Sequence, residues 1–246
     1  LDKLFAMQSI STSSIDDSFI EYALADDYYL FREYGLNFAD DPKYIGELKR
    51  LALEDPHSQV RSAAISSLAA TGDQAYLPVL KQAIEKDQAY PVIATALQEM
   101  VLLDKDEAMS FVSTLQNIDN SDIIASIGNI YGSNRNTDHL DFFENNLNKV
   151  DGYDAIDFLG NYLMLSINKG DTERATAITK LQGIAMDKSQ SLWRKLGATK
   201  NLADLSREYQ NQVESTDDTS KKSRMQQFAI ELQDIVAKIK KQETNG

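Results

Sequence analysis

Apolar residues recur at three- and four-residue spacing along almost the whole chain, and no stretch sustains the alternation of a half-buried strand. Phe19, Tyr22, Ala23, Asp26 and Leu30 share one stripe, in which Asp26 is the only polar member. Tyr44, Leu48, Leu51 and Ala52 form a second, and Val60, Ala63, Ala64 and Leu68 a third. Turn residues are scarce: Gly 11 and Pro 4 in 246 residues is about 6%, against roughly 12% in average usage. A β-sandwich or barrel needs far more of them. With 42% hydrophobic and 26% charged residues the chain can bury a core, so these patterns predict an all-α globular fold.

The punctuation divides the helices into pairs. Asp55-Pro56 reads as a helix stop with Pro in the first turn of the next. Gly72-Asp73 offers a glycine past one helix end and a cap for the following helix, and Gly170-Asp171 repeats the signal. Starts for one member of each pair fall near Pro56, Pro91, Asp119, Tyr153 and Ser189, at 35, 28, 34 and 36 residues apart. A loose period in the thirties is what stacked helical hairpins produce, because each must bury a face against its neighbours.

The pattern is clearest over IGELKRLALEDPHSQVRSAAISSLAATGDQAYLPVLKQAI, from Ile45 to Ile84. Asp55 stands at the turn between two helices and Val60-Arg61 follows it. This segment resembles a HEAT-type repeat, in which that Asp and Arg make ladder contacts between successive repeats. The resemblance assigns those positions to Asp55 and Arg61. Later units keep only an apolar skeleton, Ala96, Leu97 and Met100, then Ile124, Ile127 and Ile130, so the ladder is expected to be local. The implied fold is an α-α superhelix of five or six stacked helical hairpins, HEAT/armadillo-like. Residues 1–15 read as a lead-in, 16–214 as the array and 215–222, rich in Ser, Thr, Asp and Lys, as a polar linker. Residues 223–246 read as a capping helix with the stripe Phe228, Leu232, Ile235, Val236 and Ile239.

Over most of its length the chain also resembles the C-terminal domain of aminopeptidase N-like zinc metallopeptidases. The Asp-Pro, Val-Arg and Ala run after a Tyr-rich helix (Tyr22, Tyr28, Tyr29, Tyr34) carries that likeness. It implies a domain that encloses the peptide-binding cavity of a separate catalytic domain in the parent chain, where zinc and the peptide substrate are held. A start at Leu1 without Met fits a piece of a longer protein. Asp26, Asp27, Tyr28 and Tyr29 are the residues such a domain would present to the cavity wall. The other reading is a free-standing scaffold that binds a protein partner on its concave face.

Little catalytic material is present. Cys 0 excludes thiolate metal sites and cysteine nucleophiles, and the His-Glu-x-x-His of the peptidase family is missing. Of the two histidines, His57 and His139 each sit at a helix start, where a solvated first-turn role is expected. No catalytic, cofactor-binding or metal-ligating residue is therefore assigned. Adjacent acids at Asp16-Asp17, Asp40-Asp41 and Asp217-Asp218 read as helix starts, and Asp26-Asp27 as mid-helix. No EF-hand spacing and no phosphate-binding glycine loop is found. Trp193 is expected to pack in the last hairpin. Lys+Arg 25 against Asp+Glu 38 leaves a net charge of −13, which disfavours nucleic acid and anionic membranes as partners.

Overall fold

Helices α1 (Asp17–Ala25) and α2 (Tyr29–Leu36) open a regular succession in the computed structural model, which describes residues 15–244. They are followed by α3 (Ile45–Glu54), α4 (Ser58–Ala69), α5 (Leu77–Lys86), α6 (Tyr90–Leu103), α7 (Lys105–Leu115) and α8 (Ser121–Asn134). Then come α9 (Leu140–Asn146), α10 (Asp154–Lys169), α11 (Asp171–Met186), α12 (Leu192–Ser215) and α13 (Thr219–Thr244). No strand occurs among the described residues. The fold is an all-α helical repeat of hairpins. The even-numbered second helices from α4 to α12 start 32, 31, 33 and 38 residues apart.

The chain forms two compact units, residues 1–126 and 127–246. In the first, α1 packs on α2, α3 on α4 and α5 on α6, while α2, α4 and α6 stack on one another as a layer of second helices. Position in that layer explains composition. Helix α6 touches α4, α5 and α7, and buries Val92, Ile93, Ala94, Ala96, Leu97, Met100 and Leu103 on nearly every side. Helix α3 meets α4 and α5, buries Leu48, Leu51 and Ala52 alone, and keeps a polar outer face. Phe19, Phe31, Tyr34 and Phe38 form an aromatic cluster between α1 and α2, with Phe31 buried.

In residues 127–246, α10 packs on α9, α11 and α12 and buries Ala155, Ile156, Phe158, Leu159, Tyr162 and Leu163. Helix α13 lies along α12 and reaches α11, and seats Ala229, Leu232, Val236 and Ile239 at spacings of three and four. Phe228 is half-buried, with the Arg174 guanidinium 4.0 Å from its ring centroid.

Acidic caps set the boundaries. Asp16, Asp41, Asp73, Asp104 and Asp218 each accept from a backbone N–H two or three residues on, at 2.8–3.1 Å. Three of these belong to the adjacent-acid pairs expected at helix starts. The fourth pair needs correction: Asp26-Asp27 lies in the turn between α1 and α2, where Asp26 accepts from Tyr28 N–H at 2.8 Å. The Tyr-rich segment is thus two helices. The polar linker is also shorter than its composition implied, because Asp218 caps α13 and only residues 216–218 are non-helical. The lead-in lies, but for residue 15, outside the described residues. Gly72 turns the chain after α4 at φ +71°, as its place past the helix end required. Helix α8 ends with Arg135 in the left-handed region at φ 52°, a place its sequence offered to no glycine.

Gly128 shows how tightly the second unit is packed. A Cβ there would meet Phe158 Cδ2 at 2.5 Å and Cε2 at 2.7 Å, and Phe158 is itself fully buried. Gly128→Ala is expected to destabilise the protein by about 1–3 kcal/mol through overpacking. Gly46 on α3 has nothing within 4 Å of the same atom, so Gly46→Ala is expected to stabilise by about 0.5–1 kcal/mol. Urea unfolding midpoints of the two variants test the contrast.

Candidate functional site

Two features carry chemistry beyond ordinary core packing: a buried ionic ladder in residues 1–126 and an apolar groove in residues 127–246.

The ladder begins with the fourth residue of α2. Arg32 donates through Nε to Asp55 Oδ2 at 2.6 Å and through Nη2 to Asp55 Oδ1 at 2.8 Å. Its Nη1 donates to the carbonyls of Asp26, at 2.8 Å, and Asp27, at 3.1 Å. Arg61, fourth in α4, repeats the arrangement one hairpin on: Nε to Asp87 Oδ2 at 2.6 Å, Nη2 to Asp87 Oδ1 at 2.9 Å, and Nη1 to the Asp55 carbonyl at 2.8 Å. Each Asp also accepts, through Oδ1, from a backbone N–H two residues on: His57 for Asp55 and Ala89 for Asp87, both at 2.8 Å. Asp26 does the same with Tyr28.

One residue type therefore does two jobs. The Asp braces the turn before the second helix of its own hairpin, by accepting from the N–H of that helix's N-cap residue, and receives the guanidinium of the preceding hairpin, while that Arg also ties up carbonyls of its own turn. Asp55 and Arg32 are buried, at 3% and 7% exposure, so both charges need every partner they have. The reading that placed Asp55 and Arg61 at ladder positions missed their actual partners, Arg32 and Asp87. A signal was available: Asp26 and Arg32 repeat the six-residue spacing of Asp55 and Arg61. At Asp87 the spacing meets Ile93, and at Asn120, which caps α8, it meets Ser126. The Ser126 hydroxyl accepts from Gln98 Nε2 at 2.9 Å and donates to the Ala94 carbonyl. Hydroxyl and amide contacts replace ion pairs there.

The four residues proposed for a cavity wall lie at this same junction, Asp27 exposed and Tyr28 and Tyr29 half-buried. Asp26 is buried inside the turn. Asp27 gives its carbonyl to Arg32, and Tyr29 stacks on His57 with ring centroids 3.7 Å apart. His57 is exposed, as a first-turn residue should be, and His139 stacks in the same manner on Tyr131 at 3.7 Å. Burial pushes His139 below its ordinary value. Among the described residues no group of three or more His, Cys, Asp or Glu could hold a metal ion, and no helix is long and apolar enough to cross a membrane.

In the second unit Arg194 holds a position like that of Arg32 but reaches back along the chain. It is buried at 8% exposure, and Nη2 donates to the Leu147 carbonyl at 2.8 Å and to Asn148 Oδ1 at 2.5 Å. Its Nε has no partner, and burial pulls the guanidinium below its usual value although Asp151 and Asp187 oppose this. Asn161 donates to Asn129 Oδ1 at 3.1 Å, and Asn201 to the Ile156 carbonyl at 2.8 Å, so amides tie α8, α10 and α12 together.

A groove of about 730 Å³ opens where the end of α11, the start of α12 and the end of α13 meet. Met186, Leu192, Leu196 and Ile239 supply its apolar lining, and Lys188, Lys195 and Lys240 its charged groups. Gln242 Nε2 donates to the Met186 carbonyl at 2.8 Å and pins α13 to α11. Leu192 and Leu196 are 73% and 47% exposed, and Trp193 is 42% exposed. Trp193 is therefore a surface residue, contrary to the expectation that it packs in the last hairpin.

With this geometry in view, the comparisons are informative at the level of fold. A family model described as HEAT repeats matches residues 32–101. The match starts at Arg32 and ends in α6, and so contains both ladder pairs. Comparison with curated proteins returns no match.

The ladder predicts two outcomes. Asp55→Ala strands a buried Arg32 and frees the turn before α4, and should cost about 3–5 kcal/mol in urea unfolding. For Asp87, burial raises the pKa, but the Arg61 guanidinium and the Ala89 and Gln88 N–H groups outweigh it, and the net direction is down. A lowered carboxylate pKa stabilises the fold above the unfolded value of about 3.9 and ceases to as pH falls through the folded value. Asp87→Asn should therefore flatten the loss of stability as pH falls below about 4, read from unfolding midpoints against pH.

Proposed function

We propose that this chain is a non-catalytic scaffold that binds a protein partner on its stacked helices. The observation that supports the reading is the buried ladder. Two successive bidentate pairs lock three hairpins in register, which gives a fixed, extended surface instead of a set of independently moving helices. A binding surface held in advance loses less conformational entropy on association.

The finer reading, a C-terminal domain enclosing the peptide cavity of a zinc aminopeptidase, rests on the sequence resemblance alone. In it, zinc and the substrate peptide are held by a catalytic domain, and this chain supplies walls. The scaffold reading takes precedence because the ladder supports it without reference to any residue outside the chain.

The immobilised chain should retain one protein from a lysate of its source cells. That protein, once purified, should co-elute with the chain in size-exclusion chromatography at a fixed stoichiometry. Failure to recover any stoichiometric partner would count against the proposal. Turnover of chromogenic aminoacyl substrates by the purified chain, abolished by a chelator, would overturn it.

A further inference from the structure

The groove at the start of α12 combines features that conventional helix design keeps apart. Leu192, Trp193 and Leu196 expose large apolar side chains within five residues, and Leu192, Leu196 and Thr199 line one face at spacings of four and three. The first turn of α12 carries no acidic residue. It carries Arg194 and Lys195 instead, cations at the helix end whose dipole favours anions. Neither hydration nor the dipole accounts for that choice.

Charge around the groove is the reverse of charge on the chain. The protein as a whole is at −13, yet Lys188, Lys195 and Lys240 all contribute to the lining and no Asp or Glu does. Lys238 and Lys241 add two more exposed cations on the last turns of α13. The lysines on α13 also suit the C-terminal end of a helix. Lys188 and Lys195 have no such reason to be where they are, and neither forms an ion pair among the described residues.

We propose that this groove is a docking site for an acidic amphipathic helix of a partner protein. Its apolar residues, spaced by three and four, would cover Leu192, Leu196 and Ile239, and its flanking carboxylates would meet Lys188, Lys195 and Lys240. This rests on the scaffold reading and names both the surface and the class of partner. A helix is the fitting element because the groove runs along α12 for two turns, from Leu192 to Thr199. An acidic one fits because every charged group in the lining is a lysine, on a chain whose net charge is −13.

Trp193 is the only tryptophan, follows the lining residue Leu192 directly and meets the Tyr153 ring edge-on, so a change in its emission serves as a label-free report on this end of α12. The probe is a synthetic helical peptide with Leu at i, i+4 and i+7 and Glu on both flanks, titrated into the full chain. The expected result is saturable binding with a shift in Trp193 emission, weakened at least about tenfold by Leu196→Glu. Lys195→Glu should weaken it and reduce its dependence on salt. Leu196 is exposed, so the variant should keep the wild-type circular dichroism spectrum, and only folded variants are scored.

No saturable binding by wild type, equal binding of the same peptide with Lys in place of Glu, or undiminished binding by folded Leu196→Glu would each overturn the proposal. A wild-type dimer dissociated by Leu196→Glu would do so too, since a second copy would then be the occupant. The partner found by capture separates the two readings. If it binds the Leu196→Glu chain as tightly as wild type, the groove proposal fails and the scaffold reading stands. If no partner exists, the scaffold reading fails whatever the peptide does.

Discussion

Everything in the first unit depends on a buried charge that is allowed to exist only because its partner arrives from the neighbouring hairpin. An unpaired guanidinium at the exposure of Arg32 would be too costly to keep inside the fold. Asp55 neutralises it, holds the turn before α4 through the His57 N–H in the same act, and so couples the boundary of one helix to the position of the next pair. Apolar packing alone lets helices slide by a turn at modest cost, since ridges and grooves repeat. A bidentate fork between fixed planes does not repeat. The pair contributes less through net energy than through specifying one register, and Arg61 with Asp87 extends that specification to the third hairpin.

The second unit reaches a similar end with different chemistry. Its buried inter-helix ties include amides and a guanidinium that ends on a carbonyl and an amide oxygen, with the ion pairs Lys180–Glu144 and Arg224–Asp171 nearer the surface. Burying a neutral amide that finds its partners costs much less than burying a charge, so helices there can pack closely without a ladder. The match to HEAT repeats stops at residue 101, where the charged pairing has also ended. What makes the front of the chain recognisable as a repeat is the polar lock, because the apolar skeleton of a helical hairpin is shared by many folds.

Much of the fold was readable from the residues. Spacing of three and four located helices, and Pro56, Pro91 and Asp119 lay within three residues of the observed starts of α4, α6 and α8. The break between α1 and α2 was hidden because Asp26-Asp27-Tyr28 contains no Gly or Pro, and the apolar stripe runs through it in phase. The supposed linker after α12 was overlong because Ser, Thr and Asp favour turns and also first helical turns, and here Asp218 chose the latter. The partners of Asp55 and Arg61 were out of reach for a different reason. They lie 23 and 26 residues away, so finding them requires knowing how hairpins stack. The groove was least readable of all: Leu192 and Leu196 look like core residues on α12, and only the positions of α11 and α13 show that nothing among the described residues covers them.

The central claim, that a cross-hairpin ion pair sets the register of the repeat, is tested most directly by a double-mutant cycle on Arg61 and Asp87. Unfolding free energies of wild type, Arg61→Met, Asp87→Asn and the double variant give the coupling energy. A half-buried, bidentate lock predicts a coupling above about 1.5 kcal/mol, with the double variant far less destabilised than the two single costs added. A coupling below about 0.5 kcal/mol, the size found for exposed pairs, would mean that apolar packing alone holds the hairpins in place.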